Sequence, residues 1–208
     1  MSERRGRGRP KETETDTSAL IARSALLRFA AQGYDGTSLR EIAGDAGVDV
    51  ALVAYRFGGK EGLWKAIVSQ AARDLHAALQ AAEADRAPVE RLRHAMRSFI
   101  AYLLERPEVP RLLLRDIAID SERSRWLLDE LSSPLHSHFY ELAVAAASDC
   151  DRPAPDHLQF RVANFIYAAA SAVARRERLT RLVDEITDDA AFAAALDATL
   201  VEGALRCE

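Results

Sequence analysis

The chain has 208 residues, 49% of them hydrophobic and 29% charged, with a formal net charge of −4. That is enough apolar material for one small and one medium domain. No run approaches the ~18 apolar residues of a membrane span and no secretory leader is visible, so the expected location is the cytoplasm. Cys150 and Cys207 lack the spacing of a disulfide framework or zinc site, and read as two reduced thiols.

The first fifteen residues form a basic tail. Arg4, Arg5, Arg7, Arg9 and Lys11 put five cations in eleven residues, separated by Gly6 and Gly8 and closed by Pro10. Such a segment cannot bury a core and is expected to be disordered without a partner. Its Gly8-Arg9-Pro10-Lys11 core resembles an AT-hook, which can enter a minor groove.

A first helix is expected near Thr17 to Gln32. A second follows Ser38, an N-cap with Glu41 three residues on, the spacing of a capping box. Leu39, Ile42, Ala43 and Ala46 share one face of it. Gly47 supplies a turn and Asp49 caps a third helix, in which Val53 and Phe57 point inward with Val48 while Ala51, Leu52 and Tyr55 face away. Two short helices around a glycine turn form a helix-turn-helix, whose second helix lies in a major groove.

The flanks of this unit resemble the N-terminal domain of the TetR family of bacterial transcriptional regulators, from about Ala19 to Val68. The matching pieces are Phe29–Gly36 (FAAQGYDG), Thr37–Ile42 (TSLREI), Ala46–Val48 (AGV), then Tyr55, Phe57, Lys60, Glu61 and Leu63. The resemblance implies a homodimer on a near-palindromic double-stranded DNA operator, most often a repressor released by a small organic molecule. Two positions depart from the family pattern: Ala54 stands where an aromatic phosphate contact is usual, and Arg56 where a histidine is usual.

Val50, Ala51, Leu52 and Ala54 offer methyl groups and no hydrogen bonds, so direct reading by this helix is limited to contacts such as thymine methyls. Much of the affinity then falls to phosphate contacts. The candidates are Arg40, Tyr55, Arg56 and Lys60, with the backbone amides at both helix starts; Thr37, Ser38, Asp49 and the tail cations Arg5, Arg7, Arg9 and Lys11 complete the expected DNA-binding set. Residues 1–65 hold eleven Lys and Arg against nine Asp and Glu, and the remainder seventeen against twenty-three. The positive balance thus gathers where DNA is expected.

Nine of the ten glycines lie at or before Gly62, and the alanine- and leucine-rich stretch up to Gly203 has none. Six more helices are expected there, broken at prolines. Helix four carries Leu63, Ile67, Ala71, Leu75 and Ala78; helix five Leu92, Met96, Phe99 and Leu103; helix six runs from Leu112 to Ile119. Helix seven carries Leu128, Leu131, Leu135, Phe139, Leu142 and Ala146 with a kink at Pro134, helix eight Leu158 to Val173, and helix nine Phe192, Leu196, Leu200 and Ala204. The expected fold is all-α with about nine helices: a tail (1–15), a three-helix head (16–62), and a helical ligand-binding and dimerisation domain (63–208).

Phe99, Tyr102, Trp126, His136, Tyr140, Asn164 and Tyr167 combine apolar bodies with polar tips among helices five to eight, a lining suited to an organic ligand. Asn164, interrupting an apolar run, is the most suggestive. Helices eight and nine carry many small residues, and Phe165, Ala169, Ala172, Val173, Phe192, Leu196 and Leu200 are the expected contacts of a four-helix dimer interface.

An enzyme is not indicated. His136 and His138 diverge by about 200° on a helix and cannot hold one metal together, Gly58-Gly59-Lys60-Glu61 is not a phosphate loop, and no nucleophile–base–acid set is identifiable. No cofactor is expected. The function indicated is sequence-specific transcriptional regulation; a helical protein-interaction module and a ligand-independent regulator stand as alternatives.

Overall fold

The computed structural model describes residues 11–80, 86–149 and 154–205, with side chains described from Thr17 onward. Arg4, Arg5, Arg7, Arg9, Cys150 and Cys207 lie outside the described residues, as does the side chain of Lys11. Among the described residues all regular structure is helical. The chain divides into two compact units, Met1–Ile67 and Val68–Glu208. The division falls inside one helix, five residues beyond the expected joint, because the first unit takes in the buried Leu63, Trp64 and Ile67.

In the first unit, α1 (Lys11–Gln32) begins six residues before the expected start. Lys11 to Asp16 contain neither Gly nor Pro, so nothing in that stretch breaks a helix. Ile21, Ala25 and Phe29, four residues apart, form its buried stripe. The core of the first unit is completed by Ile42 of α2 (Leu39–Ala46), Val53 of α3 (Val50–Phe57) and Leu63 and Trp64 at the start of α4 (Lys60–Gln80), all fully buried.

The glycines after α3 have conformational causes. Gly58 ends the helix at φ 71° and Gly59 follows at φ 104°, both left-handed. Gly62 sits so close to the carbonyl of Phe57 that a Cβ would lie 1.8 Å from the oxygen. The GGKEG run is therefore a tight corner into α4.

In the second unit the rest of α4 buries Val68, Ala71, Leu75 and Leu79. Next come α5 (Pro88–Glu105), α6 (Glu108–Ile117), α7 (Glu122–Leu127), a π-helical turn at Leu128–Ser132, α8 (Ser133–Asp149) and α9 (Leu158–Ala174). The short α10 (Arg176–Leu179), α11 (Asp189–Leu196), a second π-helical turn at Asp197–Glu202 and α12 (Gly203–Leu205) complete it. Ile119 lies past the end of α6 and is 64% exposed, outside the helix expected to hold it. The centre of the unit is an aromatic trio. Phe99, Phe139 and Phe165 meet pairwise at 5.4–5.9 Å between ring centroids, bringing α5, α8 and α9 together.

Both π-helical turns overturn a register expectation. Pro134 lacks an amide hydrogen and would collide with the carbonyl four residues back. The chain widens just before it, and the Ser133 N–H reaches the Leu128 carbonyl, five residues back. With the extra residue Leu128 is left 51% exposed, while Leu127 is fully buried. The second turn likewise buries Val201 in place of Leu200, with the Gly203 N–H bonded to the Ala198 carbonyl. The five-residue spacing also sets Asp197 and Glu202 on one side. Asp197 pairs with Arg97 at 2.6 Å, and Glu202 with Arg97 and Arg93, each at 3.0 Å.

Candidate functional site

The helix-turn-helix is built by local hydrogen bonds. The Ser38 hydroxyl accepts from the Glu41 N–H at 3.3 Å, and the Glu41 carboxylate accepts from the Ser38 N–H at 2.8 Å and from its hydroxyl at 2.7 Å. Gly47 takes φ 66°, which reverses the chain, and the following Val48 N–H closes on the Ala43 carbonyl at 3.0 Å. Asp49 starts α3, its carboxylate accepting from the Ala51 N–H at 2.7 Å. Val53, fully buried, anchors α3 with the half-buried Val48 and Phe57 behind it.

A clamp that spacing alone does not reveal joins α1 to α2. Arg28 grips Asp45 with two bonds of 2.5 and 2.9 Å and Glu41 at 3.0 Å, while the Ser24 hydroxyl donates to the Ile42 carbonyl at 3.2 Å. Hydrogen bonds from Ser38 hold the Glu41 carboxyl below its ordinary range, with the Arg28 charge adding to them. The bond from Arg28 does the same for Asp45, again helped by the guanidinium charge, and the Arg28 pKa rises in return.

Val50, Ala51, Ala54 and Tyr55 form the outer face of α3, with Tyr55 88% exposed. Leu52 is half-buried, so it contributes less to that face than its spacing suggests. Arg40 and Ser38 are exposed. The expected DNA contacts divide. Thr37 is 3% exposed, its hydroxyl donating to the Gly33 carbonyl at 2.9 Å and its N–H to the Tyr34 carbonyl at 3.2 Å, which makes it a brace of the α1–α2 loop rather than a surface contact.

Arg56 turns back to α1 and donates to the Ser18 hydroxyl at 2.6 Å. Lys60 lies over the Tyr34 ring at 4.3 Å, a cation–π contact that fixes its stem. At the two helix starts the N–H groups of Ser38, Glu41 and Ala51 already bond to side chains. These amides are thereby taken from the set offered to phosphate.

The second unit contains a cavity of about 310 Å³. Of the seven expected ligand contacts it brings together Phe99, Tyr102, His136 and Tyr167. Trp126, Tyr140 and Asn164 are not part of its wall, and Asn164 is exposed on the outside of α9. The amide that interrupts the apolar run therefore faces solvent, so its position marks the polar side of an amphipathic helix. Sequence spacing missed Leu75, Val109, Pro110, Leu113 and Ile166, which do line the cavity and look like ordinary core residues.

The Tyr102 hydroxyl donates to the Ala71 carbonyl at 3.0 Å, and burial pushes its pKa up to about 12. The phenol thus stays neutral at physiological pH. His136 Nε2 lies 2.9 Å from the Gln159 carbonyl, and its ring stacks on Tyr140.

The expected dimer contacts mostly face inward. Phe165, Ala169, Val173, Phe192 and Leu196 are at most 7% exposed and pack the core of their own unit, while Ala172 and Leu200 are half-buried. The exposed side of α9 is formed instead by Phe160, 73% exposed, with Asn164 and Tyr167, and that of α11 and its π-helical turn by Ala194 and Ala198.

No helix among the described residues is long and apolar enough to cross a membrane. No group of three or more His, Cys, Asp or Glu among them could hold a metal ion.

Comparison with known proteins converges on one family. Residues 21–67 match the family described as "Bacterial regulatory proteins, tetR family", a span that starts at the buried Ile21 and ends with the first unit at Ile67. The chain is 30% identical over 118 residues to a Bacillus subtilis (strain 168) protein named "Probable HTH-type transcriptional regulator YttP", covering 55% of this chain and 57% of that one. It is 31% identical over 127 residues to the HTH-type transcriptional regulator RutR of Escherichia coli O157:H7, covering 61% and 58%. These matches span less than two thirds of either relative's length.

Among solved structures, SCO3833 of Streptomyces coelicolor A3, described as a member of the TetR transcriptional regulator family, superposes with a TM-score of 0.67 at 25% identity, over 90% of this chain and 91% of that one. The glycine turn, the two capped helices and the sequence match fall on the same residues, so it is the head of this chain, residues 21–67, that matches the tetR family of bacterial regulatory proteins.

Proposed function

We propose that this protein is a transcriptional regulator that binds a near-palindromic DNA operator as a homodimer and is released from it by a small organic ligand. One observation carries the reading: α3 presents Val50, Ala51, Ala54 and Tyr55 outward from a helix-turn-helix whose other side is locked into the first unit by Val53 and the Arg28 clamp. A rigid helix with a bare outer face can enter a major groove without reorganising.

Phosphate contacts then fall to Arg40, Tyr55, Lys60 and the basic tail, while methyl groups on α3 meet base edges. A twofold pair would have to set its two α3 helices about 34–36 Å apart, one turn of DNA. The outward faces of α9 and α11 offer a surface for that pairing, with Phe160 and Tyr167 as its large apolar members. A ligand in the cavity that favoured a different spacing would lower operator occupancy, by no more than its difference in affinity for the two states. The named relatives are transcriptional regulators, which supports regulation as the activity.

The test is a gel shift with DNA flanking the protein's own gene, in the presence of excess unrelated duplex. A retarded band that survives the competitor and carries two chains per duplex supports the regulator. Binding no better than to the competitor would favour the interaction module.

A further inference from the structure

We propose that the cavity of the C-terminal unit takes an uncharged, compact and chiefly apolar organic molecule with one hydrogen-bonding end, and discriminates against organic ions. The inference rests on reading this unit as a ligand sensor and gives that ligand a chemical class.

Among the described residues that line the cavity there is no Asp, Glu, Lys or Arg. A charge placed there would lose its hydration with no counter-ion in the wall, which disfavours binding strongly. Arg106 comes close, over the Tyr102 ring at 4.8 Å from its centroid, but it is not part of the lining. The volume of about 310 Å³ is at the small end of the range for organic ligands, about 300–1,000 Å³. A body of two or three rings fits; a nucleotide fails on both size and charge.

Apart from the phenols of Tyr102 on α5 and Tyr167 on α9, the polar side chains are gathered on one wall. Ser132, Ser133, His136 and Ser137 follow one another through the end of the first π-helical turn and the start of α8. Because the Gln159 carbonyl can only accept, His136 Nε2 carries the proton in that 2.9 Å bond, and in that tautomer Nδ1 is left as an acceptor. The Tyr102 hydroxyl already donates its hydrogen bond to the Ala71 carbonyl, so toward a ligand its oxygen too can only accept. Phe99, Leu113 and Ile166 on the other walls offer only hydrocarbon. A ligand hydroxyl, amide or amine N–H directed at the α8 wall, with its apolar body against α5, α6 and α9, satisfies this arrangement.

The probes are N-phenyl-1-naphthylamine and 1-anilinonaphthalene-8-sulfonate, which share one ring system and differ by a sulfonate. Each is titrated into the full-length protein and followed by fluorescence. The neutral dye is expected to bind once per chain, at least about tenfold more tightly than the sulfonate. Ala170→Phe and Leu113→Trp, which fill the cavity from different walls, are each expected to weaken the neutral dye by at least about tenfold. Thermal melts of both variants check their folding.

Equal or tighter binding of the sulfonate, no binding of the neutral dye, or binding that neither folded variant weakens would each overturn the proposal. If both variants unfold, the affinity ratio on the unaltered protein decides. DNA binding measured on the same preparation separates the two levels: failure of the dye test with DNA binding intact overturns the ligand class alone, and the reverse overturns the regulator while leaving the cavity chemistry standing.

Discussion

At Ala51 and Ala54 the outer face of α3 ends in single methyl groups. Such a surface distinguishes bases by apolar contact, and thymine is the base that offers a methyl in the major groove. Replacing thymine by deoxyuridine in an operator half-site removes that group and nothing else. Each contacted position is expected to lose roughly fourfold in affinity, from about 0.8 kcal/mol per buried carbon, as read by fluorescence anisotropy; duplexes that bind equally well would mean that α3 does not read methyls.

Two glycines make a contrasting pair. Gly47 is left-handed with open space, clear to 4 Å, where a Cβ would stand, so Gly47→Ala is expected to cost about 1 kcal/mol of conformational strain. A Cβ on Gly62 would meet the Phe57 carbonyl oxygen at 1.8 Å, and Gly62→Ala is expected to cost about 3 kcal/mol. Urea unfolding of both variants gives the order, and a milder Gly62 variant would show that the corner into α4 can yield.

At the scale of elements, α2 depends on carboxylates. Glu41 and Asp45 both titrate below their ordinary range in the folded head, held there chiefly by Ser38 and Arg28 respectively. For depressed carboxyls the stabilisation is full above the unfolded pKa and disappears as pH falls through the folded one. The melting temperature of the head is therefore expected to be flat near neutrality and to drop once pH passes below about 4. Asp45→Asn should melt lower at pH 7 and show a shallower acid decline, since one of the linked protons is gone. A decline as steep as that of the unaltered protein would remove Arg28–Asp45 from the account.

The same elements show what sequence can and cannot convey. The capping box at Ser38 and Glu41, the turn at Gly47 and the cap at Asp49 are legible because each is decided within a few residues. Arg28 and Asp45, seventeen residues apart, meet only after α1 and α2 pack. The registers of Leu128 and Leu200 fail because a 3.6-residue period cannot anticipate a wider turn. Trp126, Tyr140 and Asn164 fail as cavity contacts because composition identifies a polar tip but not the side of the helix on which it lies.

For the molecule as a whole, the cations of the first eleven residues are the largest local charge in a chain of net charge −4. If they meet phosphates, deleting residues 1–11 should flatten the salt dependence of operator binding by several units of slope, close to one for each phosphate no longer neutralised. An unchanged slope would take the tail out of the interface. The π-helical turn at Asp197–Glu202 bears on kinship rather than energy. It spends one residue more than the ordinary turn it replaces, so the helix beyond it runs a position out of step with the helix before it. A cousin without that residue would align with a one-position gap there, would carry its inward apolar group where this chain has Leu200, and would have no reason to keep both Asp197 and Glu202.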